Sequence, residues 1–227
     1  MRYTAVIAFG LIVAACSADP AATELQFRLA SERSDNEVLV AGLEQIKSWH
    51  QSNATGLDGR LGAGVSTQTI NRALEDIDCR PTGELSALWS WHDGATHVAP
   101  FIWYHDFLSL EDAVSGRWML RLATLPRWDG RLIPVFEFDG EWYATYCAAE
   151  GMAGAPIVHV SLEDEPRVAY INLTTFIVTM AQAMNQGAVR WEGDAMVEDI
   201  HELHRIYQAH NPGYAFPYYV PPAAADE

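Results

Sequence analysis

The chain has 227 residues, of which 49% are hydrophobic and 11% aromatic, enough to fill one large core or two small ones. Its 30 acidic residues against 14 basic ones give a formal net charge of -16. A charge of this sign argues against a sequence-independent grip on phosphate backbones, so we expect no nucleic-acid partner. The acidic surface would favour a basic partner, although in most acidic proteins such charge only maintains solubility.

The N-terminus has the layout of a bacterial lipoprotein signal. Residues 5–15 form an uninterrupted apolar run that is too short to span a bilayer as a stable helix. The run ends at Cys16 in Val-Ala-Ala-Cys, which resembles a lipobox, so we predict a signal peptide over residues 1–15 and lipidation of Cys16. Ser17 is compatible with sorting to the outer membrane, facing the periplasm. The alternative is an ordinary secretory signal with a cysteine there by chance.

Two cysteines, Cys79 and Cys147, remain after Cys16. They are an even number in a compartment that permits disulfides. A bridge between them is one possibility. The other is that both are small buried hydrophobic residues, because sequence gives no Cα distance.

The first half of the mature chain is predicted to be helical. Residues 16–35 are small, polar and charged without a clear apolar period, so we expect a tether that lifts the domain off the membrane. A helical stripe then runs through residues 38–50 and ends at the glycine-rich stretch 56–64. Ser66 or Thr67 is placed to cap a second helix.

A third helix, over residues 82–92, is predicted to be the centre of the fold. Its apolar side chains crowd one broad side, and Gly94 follows where a left-handed residue would stop the helix. These side chains are Leu85, Leu88, Trp89 and Trp91. Helical patterns precede this helix and strand patterns mostly follow it, so we expect it to lie where two layers meet.

The second half is predicted to form a sheet closed by a helix. Asp139-Gly140 lies between two strand-like segments and supplies the positive φ values that a two-residue hairpin turn needs. Asn172 is placed to cap a last core helix that runs to Gly187. The predicted strands are residues 101–104, 135–138, 141–146, 157–160 and 168–171, with a helix starting at Ser109. This order predicts an α+β fold with helices packed on one face of a mainly antiparallel sheet.

Several short motifs follow one another in a fixed order between residues 36 and 187. They are Gly64-Val65-Ser66 through Ile70, the helix from Pro81 to Leu88, Trp91-His92-Asp93-Gly94, residues 108–113, residues 132–135 and the Asp-Gly hairpin. In order and spacing they resemble the SUKH superfamily, which includes the fungal Smi/Knr cell-wall-assembly regulators and many bacterial immunity proteins. The chain departs from the family pattern at Arg80, where leucine is common. The resemblance implies a SUKH-like fold and a non-catalytic interaction domain, often one that neutralises a toxin.

Residues 188–227 form a C-terminal extension that the family does not require. Residues 195–210 are predicted to form an extra helix that docks on the domain or on a partner. Its apolar stripe consists of Met196, Ile200, Leu203 and Tyr207. The tail that follows is rich in tyrosine and proline, and we expect it to be extended.

Two places in the sequence offer catalytic chemistry. His92 and Asp93 put an imidazole beside a carboxylate, but neighbouring positions on a helix point in different directions, so we favour a structural role at the helix end. The His201–His204 segment lacks the second histidine of a metalloprotease motif because Arg205 stands there, which favours a solvated helix face. We therefore expect no catalytic residues, no metal and no cofactor.

Aromatic residues near the junction of helices and sheet are the candidate binding residues. Trp91 and Trp103, with His92 and Asp93, would line a groove, although tryptophans more often fill cores. We expect a non-catalytic, lipid-anchored module that binds another protein of the cell envelope. One alternative is an immunity protein for a toxin that acts in the envelope. The other is an envelope hydrolase that uses His92 or the His201 region.

Overall fold

The computed structural model describes residues 20–53, 55–95, 100–122, 129–147, 152–162, 164–193 and 195–218, with side chains from residue 26 onward except at 58 and 119–122. The predicted signal peptide and the predicted lipidation site Cys16 lie outside these ranges, as does the end of the tail. Within the described ranges, no helix combines the length and the apolar character needed to cross a membrane.

The described residues form seven α-helices, nine strands and one 3-10 turn, which confirms the predicted α+β class. The helices are α1 (Pro20–Glu32), α2 (Asn36–Ser52), α3 (Thr67–Glu75), α4 (Gly83–Trp91), α5 (Leu110–Leu122), α6 (Leu173–Asn185) and α7 (Ile200–His210). The strands are β1 (Leu61–Ala63), β2 (His92–Ala95), β3 (Asp106–Phe107), β4 (Leu132–Phe138), β5 (Glu141–Tyr146), β6 (Ile157–Ser161), β7 (Arg167–Tyr170), β8 (Val189–Glu192) and β9 (Ala195–Glu198).

Strands β3 to β7 make one antiparallel sheet in chain order. The predicted hairpin is confirmed: Phe138 pairs with Glu141, and Asp139 and Gly140 have φ values of 44° and 86°. Positive φ at both central residues is what a type I′ turn requires. The predicted strands at residues 157–160 and 168–171 are likewise confirmed as β6 and β7.

The main core lies between this sheet and α6. Phe176 of α6 stands on the rings of Phe136, Tyr143 and Tyr170, with centroids 5.4, 4.7 and 4.5 Å away. Asn172 caps the helix as predicted, accepting a hydrogen bond of 2.8 Å from the Thr175 amide. Each large side chain buried here contributes about 1.5–3 kcal/mol. Helix α2 packs on the outer side of α6.

Helix α4 begins as predicted but ends differently. Thr82 caps it by accepting a hydrogen bond from the Leu85 amide, and the helix ends at Trp91 because His92 is already extended. The prediction that Gly94 stops the helix is therefore wrong. Gly94 lies in β2 with φ 74°, and a Cβ there would approach the Ser109 nitrogen to 2.4 Å. Glycine is required here for close backbone contact.

Residues 20–35 are not the tether that we expected. They contain α1, whose Ala30 is fully buried and whose Phe27 ring lies 5.0 Å from that of Tyr146. The side chain of Asn172 donates a hydrogen bond of 2.8 Å to the Ala30 carbonyl. The prediction failed because α1 is held by a few distant partners and its own sequence has only a weak apolar period.

The extension after residue 187 continues the same core. Its first part is a β8–β9 hairpin that the sequence did not reveal, so the predicted helix over 195–210 is wrong before Ile200. Gly193, at φ 64°, turns this hairpin, and Asp199 caps α7. Buried residues of the extension pack in the same cluster as those of α6; they are Ala188, Val189, Met196, Leu203, Ile206 and Tyr207.

Cys79 and Cys147 form a disulfide, with Cα atoms 5.0 Å apart. It joins the loop after α3 to the end of β5 across a sequence separation of 68 residues. A cross-link that closes a loop of this length lowers the conformational entropy of the unfolded chain. In the loop-entropy model this stabilises the fold by about 4 kcal/mol. Of the two possibilities left by the sequence, the bridge is the one formed.

Replacing both cysteines with alanine is expected to lower the free energy of unfolding by about 2–4 kcal/mol, because the unfolded chain regains its freedom. Chemical denaturation followed by circular dichroism measures the loss. A reductant should reproduce it in the wild-type protein and leave the double variant unchanged. Equal midpoints for the oxidised wild type and the variant would contradict the bridge.

Candidate functional site

Trp91 lies half-buried at the end of α4. Its indole Nε1 donates a hydrogen bond of 2.6 Å to Glu44 Oε1, and its ring lies 5.8 Å from that of Phe101. Lys47 Nζ stands 6.0 Å above the ring and 3.6 Å from the Glu44 carboxylate. Trp91 thus ties α4 to α2 at the surface.

His92 and Asp93 point to different partners. His92 Nδ1 lies 2.6 Å from the Gly62 carbonyl, which can only accept, so Nδ1 donates. Asp93 Oδ1 accepts a hydrogen bond of 2.7 Å from the Leu110 amide, at the positive end of α5. His92 therefore holds β1, and Asp93 orients α5. Their participation in binding, like that of Trp91, stays a prediction.

Trp103 lies in a tight turn, so the predicted strand over residues 101–104 is wrong. Ile102 and His105 form an isolated antiparallel bridge, and Trp103 between them has φ 56°. Positive φ at the first position of such a turn suits glycine, and a bulky residue there costs on the order of 1–3 kcal/mol. Trp103 is only 4% exposed, and its ring lies 4.2 Å from that of Tyr218.

Three exposed hydrophobic side chains meet beyond this turn, at the β4–β5 end of the sheet. Tyr104, Phe138 and Leu162 are 38%, 43% and 59% exposed, and we call them the apolar patch. The rings of Tyr104 and Phe138 lie 5.5 Å apart, and Leu162 covers Gly140, beside a pocket of about 280 Å³. The other large hydrophobic residues exposed in the described ranges, Val38 and Trp118, lie on helices.

Acidic residues surround the apolar patch. Glu137, Asp139 and Glu141 flank Phe138 along the hairpin. The Tyr104 hydroxyl donates a hydrogen bond of 3.1 Å to Glu198 Oε2. Since the whole chain is strongly acidic as well, this surface is complementary to an apolar centre surrounded by basic residues.

A layer of histidine and tyrosine lies beneath the patch. His105 is buried between the rings of Phe138 and Tyr143, at 5.9 and 4.8 Å, and neither ring nitrogen has a hydrogen-bond partner in the described structure. Burial lowers the pKa of His105 to about 3, with a further contribution from His159. An unpaired buried polar group costs about 1–3 kcal/mol, so this layer is destabilising by itself.

His159 borders the same layer. Its Nε2 lies 3.4 Å from Glu141 Oε2, and its ring lies 5.3 Å from that of Tyr143. Burial lowers the pKa of His159, while the Glu141 carboxylate acts in the opposite direction. The charge of Glu141, at the edge of the patch, therefore affects the protonation of His159.

The C-terminal segment, residues 211–218, covers this layer on the helical face of the sheet. Besides stacking on Trp103, Tyr218 places its hydroxyl against that of Tyr143. Burial raises the pKa values of both hydroxyls. Phe216 packs on the ring of Tyr207 at 5.0 Å. The segment is thus seated on the sheet through aromatic side chains.

The His201–His204 segment lies elsewhere, on α7. Arg205 Nε donates a hydrogen bond of 2.8 Å to Glu202, and His204 contacts Gln208 and the ring of Phe216. Among the residues that the structure describes, no three His, Cys, Asp or Glu side chains are grouped to hold a metal.

Trp103 was predicted from the sequence, but the other residues of this site were not. Their signal was weak: Phe138 stands beside an Asp-Gly turn, and Leu162 precedes an acidic turn. A large apolar residue next to a polar turn is often exposed, and this pattern could have marked both residues as surface positions. The contact between Tyr218 and Trp103 has no local signature at all.

Comparison with known proteins assigns neither a family nor a function to the chain. No protein-family model matches the chain, and no curated protein is significantly similar to it.

His105 is expected to make the protein less stable in acid. Its folded pKa of about 3 lies below the unfolded value of 6.5, so its contribution is complete above pH 6.5 and is lost as the pH falls. The limiting slope is about 1.4 kcal/mol per pH unit. His105→Phe should remove this component of the pH dependence, as measured by urea unfolding between pH 4 and 7. His201→Phe, on the exposed surface, is the control, and an unchanged slope in His105→Phe would contradict the prediction.

Proposed function

We propose that the chain is a non-catalytic, SUKH-like module that binds another protein, and that a lipid on Cys16 holds it in the bacterial envelope, on the periplasmic side of the outer membrane. The observation that supports binding is the apolar patch of Tyr104, Phe138 and Leu162. Exposed apolar side chains that gather in one place are often part of a protein-binding surface.

The construction of the patch suits protein recognition. Tyrosine and phenylalanine have only two side-chain torsions, so they lose little side-chain entropy when a partner covers them. The patch sits at the end of a five-stranded sheet, where Phe138 is fixed by pairing with Glu141. A preformed surface of this kind limits the ordering cost of binding.

The charge around the patch specifies the partner's chemistry. Carboxylates of Glu137, Asp139 and Glu141 favour an apolar surface flanked by lysine and arginine, and they speed encounter at low salt. A basic component of the envelope satisfies this description. So does a basic toxin that acts in the envelope, which is the immunity-protein alternative.

The imidazole and the carboxylate of the first catalytic candidate bond to the backbone and not to each other. His92 Nδ1 donates to the Gly62 carbonyl, and Asp93 Oδ1 accepts from the Leu110 amide. In the hydrolase alternative, Asp93 would instead orient His92 as a general base. The different partners of the two side chains therefore support a binding module.

Replacing Phe138 and Leu162 together with serine is expected to abolish capture of the partner, because both anchors of the patch are removed. The measurement is crosslinking of the purified chain to membranes of cells that express it, with bound proteins identified by mass spectrometry. Raising the salt concentration should weaken the same capture, since exposed charges are screened.

Trp118→Ser is the matched control. It removes a larger exposed side chain from α5, where the neighbouring Arg117 bonds the Gly130 carbonyl, before β4 and at the opposite end of that strand from Phe138. A partner lost with the patch variant and kept with Trp118→Ser supports the proposal. A partner kept by both variants would place its binding site elsewhere, and the region of Trp91 would be tested next.

Cys16→Ser is expected to release the protein from the membrane fraction and to lower its mass by that of the acyl groups. Two or three acyl chains anchor a protein stably, so their loss is visible by fractionation. Intact-mass spectrometry of the purified protein gives the second measurement. A variant that stays membrane-bound with an unchanged mass would contradict the lipid anchor.

A further inference from the structure

The C-terminal segment occupies a pocket on the sheet as a bound peptide would. The ring of Tyr218 stacks on Trp103, and its hydroxyl contacts that of Tyr143. The guanidinium of Arg167 donates to the Pro217 carbonyl. We call this the tyrosine pocket; its walls are Trp103, Tyr143, His159 and Arg167.

The segment is held by side chains and by a few single hydrogen bonds. Residues 211–218 form neither helix nor strand. The hydroxyl of Tyr207 donates 2.9 Å to the Ala215 carbonyl, and Gln208 reaches the Tyr214 carbonyl at 3.5 Å. Asn211 anchors the start of the segment, since its side chain bonds the Ile171 amide and the Thr179 hydroxyl. No strand ladder includes the residues after it, so the end of the segment with Tyr218 can leave without breaking the hydrogen bonds of the sheet.

The fit of the segment leaves polar groups unsatisfied. Four buried side-chain atoms lack a hydrogen bond in the described structure: both ring nitrogens of His105 and the hydroxyls of Tyr170 and Tyr214. Tyr214 belongs to the segment, and the other two side chains contact Tyr143, with ring centroids 4.8 and 5.9 Å from it. Buried polar groups are normally paired, so the contact between the segment and the sheet is less completely satisfied than the rest of the described core.

The tyrosine pocket adjoins the apolar patch. The ring of Tyr104 lies 6.4 Å from that of Trp103 and 5.5 Å from that of Phe138. Removal of Tyr218 would therefore join the pocket and the patch into one continuous aromatic surface. Trp103, held at positive φ between them, is common to both.

We infer that the tyrosine pocket recognises a tyrosine in an extended segment of the partner protein, and that Tyr218 occupies the pocket in the free chain. The inference rests on the proposed binding function and adds the chemistry of the ligand. The partner's phenol stacks on Trp103 and its hydroxyl pairs with Tyr143, while a carbonyl accepts from Arg167. Basic residues beside that tyrosine meet Glu141 and Glu198 at the edge of the patch.

Tyr218→Ala in the full chain empties the pocket and provides the test. The probe is a short fluorescent peptide, Pro-Tyr as at residues 217 and 218, because residues 211–216 of the variant keep their own contacts, and the control peptide is Pro-Ala. By fluorescence anisotropy we expect the variant to bind the first peptide at least tenfold more tightly than the wild-type chain does, and to ignore the control. Adding Phe138→Ser and Leu162→Ser to the variant should leave peptide binding intact.

Other outcomes separate the pocket from the proposed function. Equal binding of both peptides, or no gain over the wild-type chain, overturns the pocket. Loss of cooperative unfolding in Tyr218→Ala also overturns it, because Tyr218 would then belong to the core. Crosslinking to membranes should recover severalfold more partner with the variant. If the peptide binds as expected but the variant and the wild type capture no partner, the pocket stands and the protein-binding function falls.

Discussion

The carboxylate of Glu84 holds the helical layer together. It is only 1% exposed and accepts hydrogen bonds from the amide and hydroxyl of Thr174, at 2.9 and 2.6 Å, and from the Leu173 amide at 3.3 Å. Burial raises its pKa to about 7 even though the hydrogen bonds from Thr174 lower it. The positive end of the α6 dipole favours its charged form. One side chain of α4 thereby fixes the start of α6.

The position of the candidate site depends on this link. Thr174 also bonds the backbone of Asp35, where α2 begins, so three helices meet at one point. From there α6 sets Phe176 on Tyr143, and Tyr143 supports both His105 and Tyr218. A rearrangement at the buried carboxylate would therefore reach the floor of the tyrosine pocket through packed side chains.

The turns and helix caps that depend on one or two neighbouring residues were predicted from the sequence. The hairpin at Asp139-Gly140 and the caps of Ser66 and Asn172 follow from single residues with a defined backbone preference, and all three are present. The turn at Trp103 violates such a preference, since tertiary packing holds a bulky residue where glycine is normal. Sequence patterns describe the preference and not the packing that overrides it.

The candidate site was predicted only in part for the same reason. Trp103 was found because tryptophan near a helix–sheet junction is conspicuous, but its partner Tyr218 lies in a tail with no periodicity. Helix α1 and the β8–β9 hairpin were missed because a few distant contacts stabilise each of them. A resemblance to the SUKH superfamily concerns residues 36–187, whereas part of the site is built by residues after them.

The docking of α1 determines how the anchored domain would face its surroundings. From Cys16 to Pro20 the chain can span at most about 14 Å, so the proposed lipid would keep α1 close to the headgroups. Phe27 of α1 contacts Tyr146, at the end of β5 opposite Glu141 and the apolar patch. Five steps of about 3.4 Å along β5 separate Glu141 from Tyr146 by about 17 Å. The sheet would thus act as a spacer that holds its binding end away from the bilayer, toward the periplasm, where a membrane-anchored or a free partner could reach it.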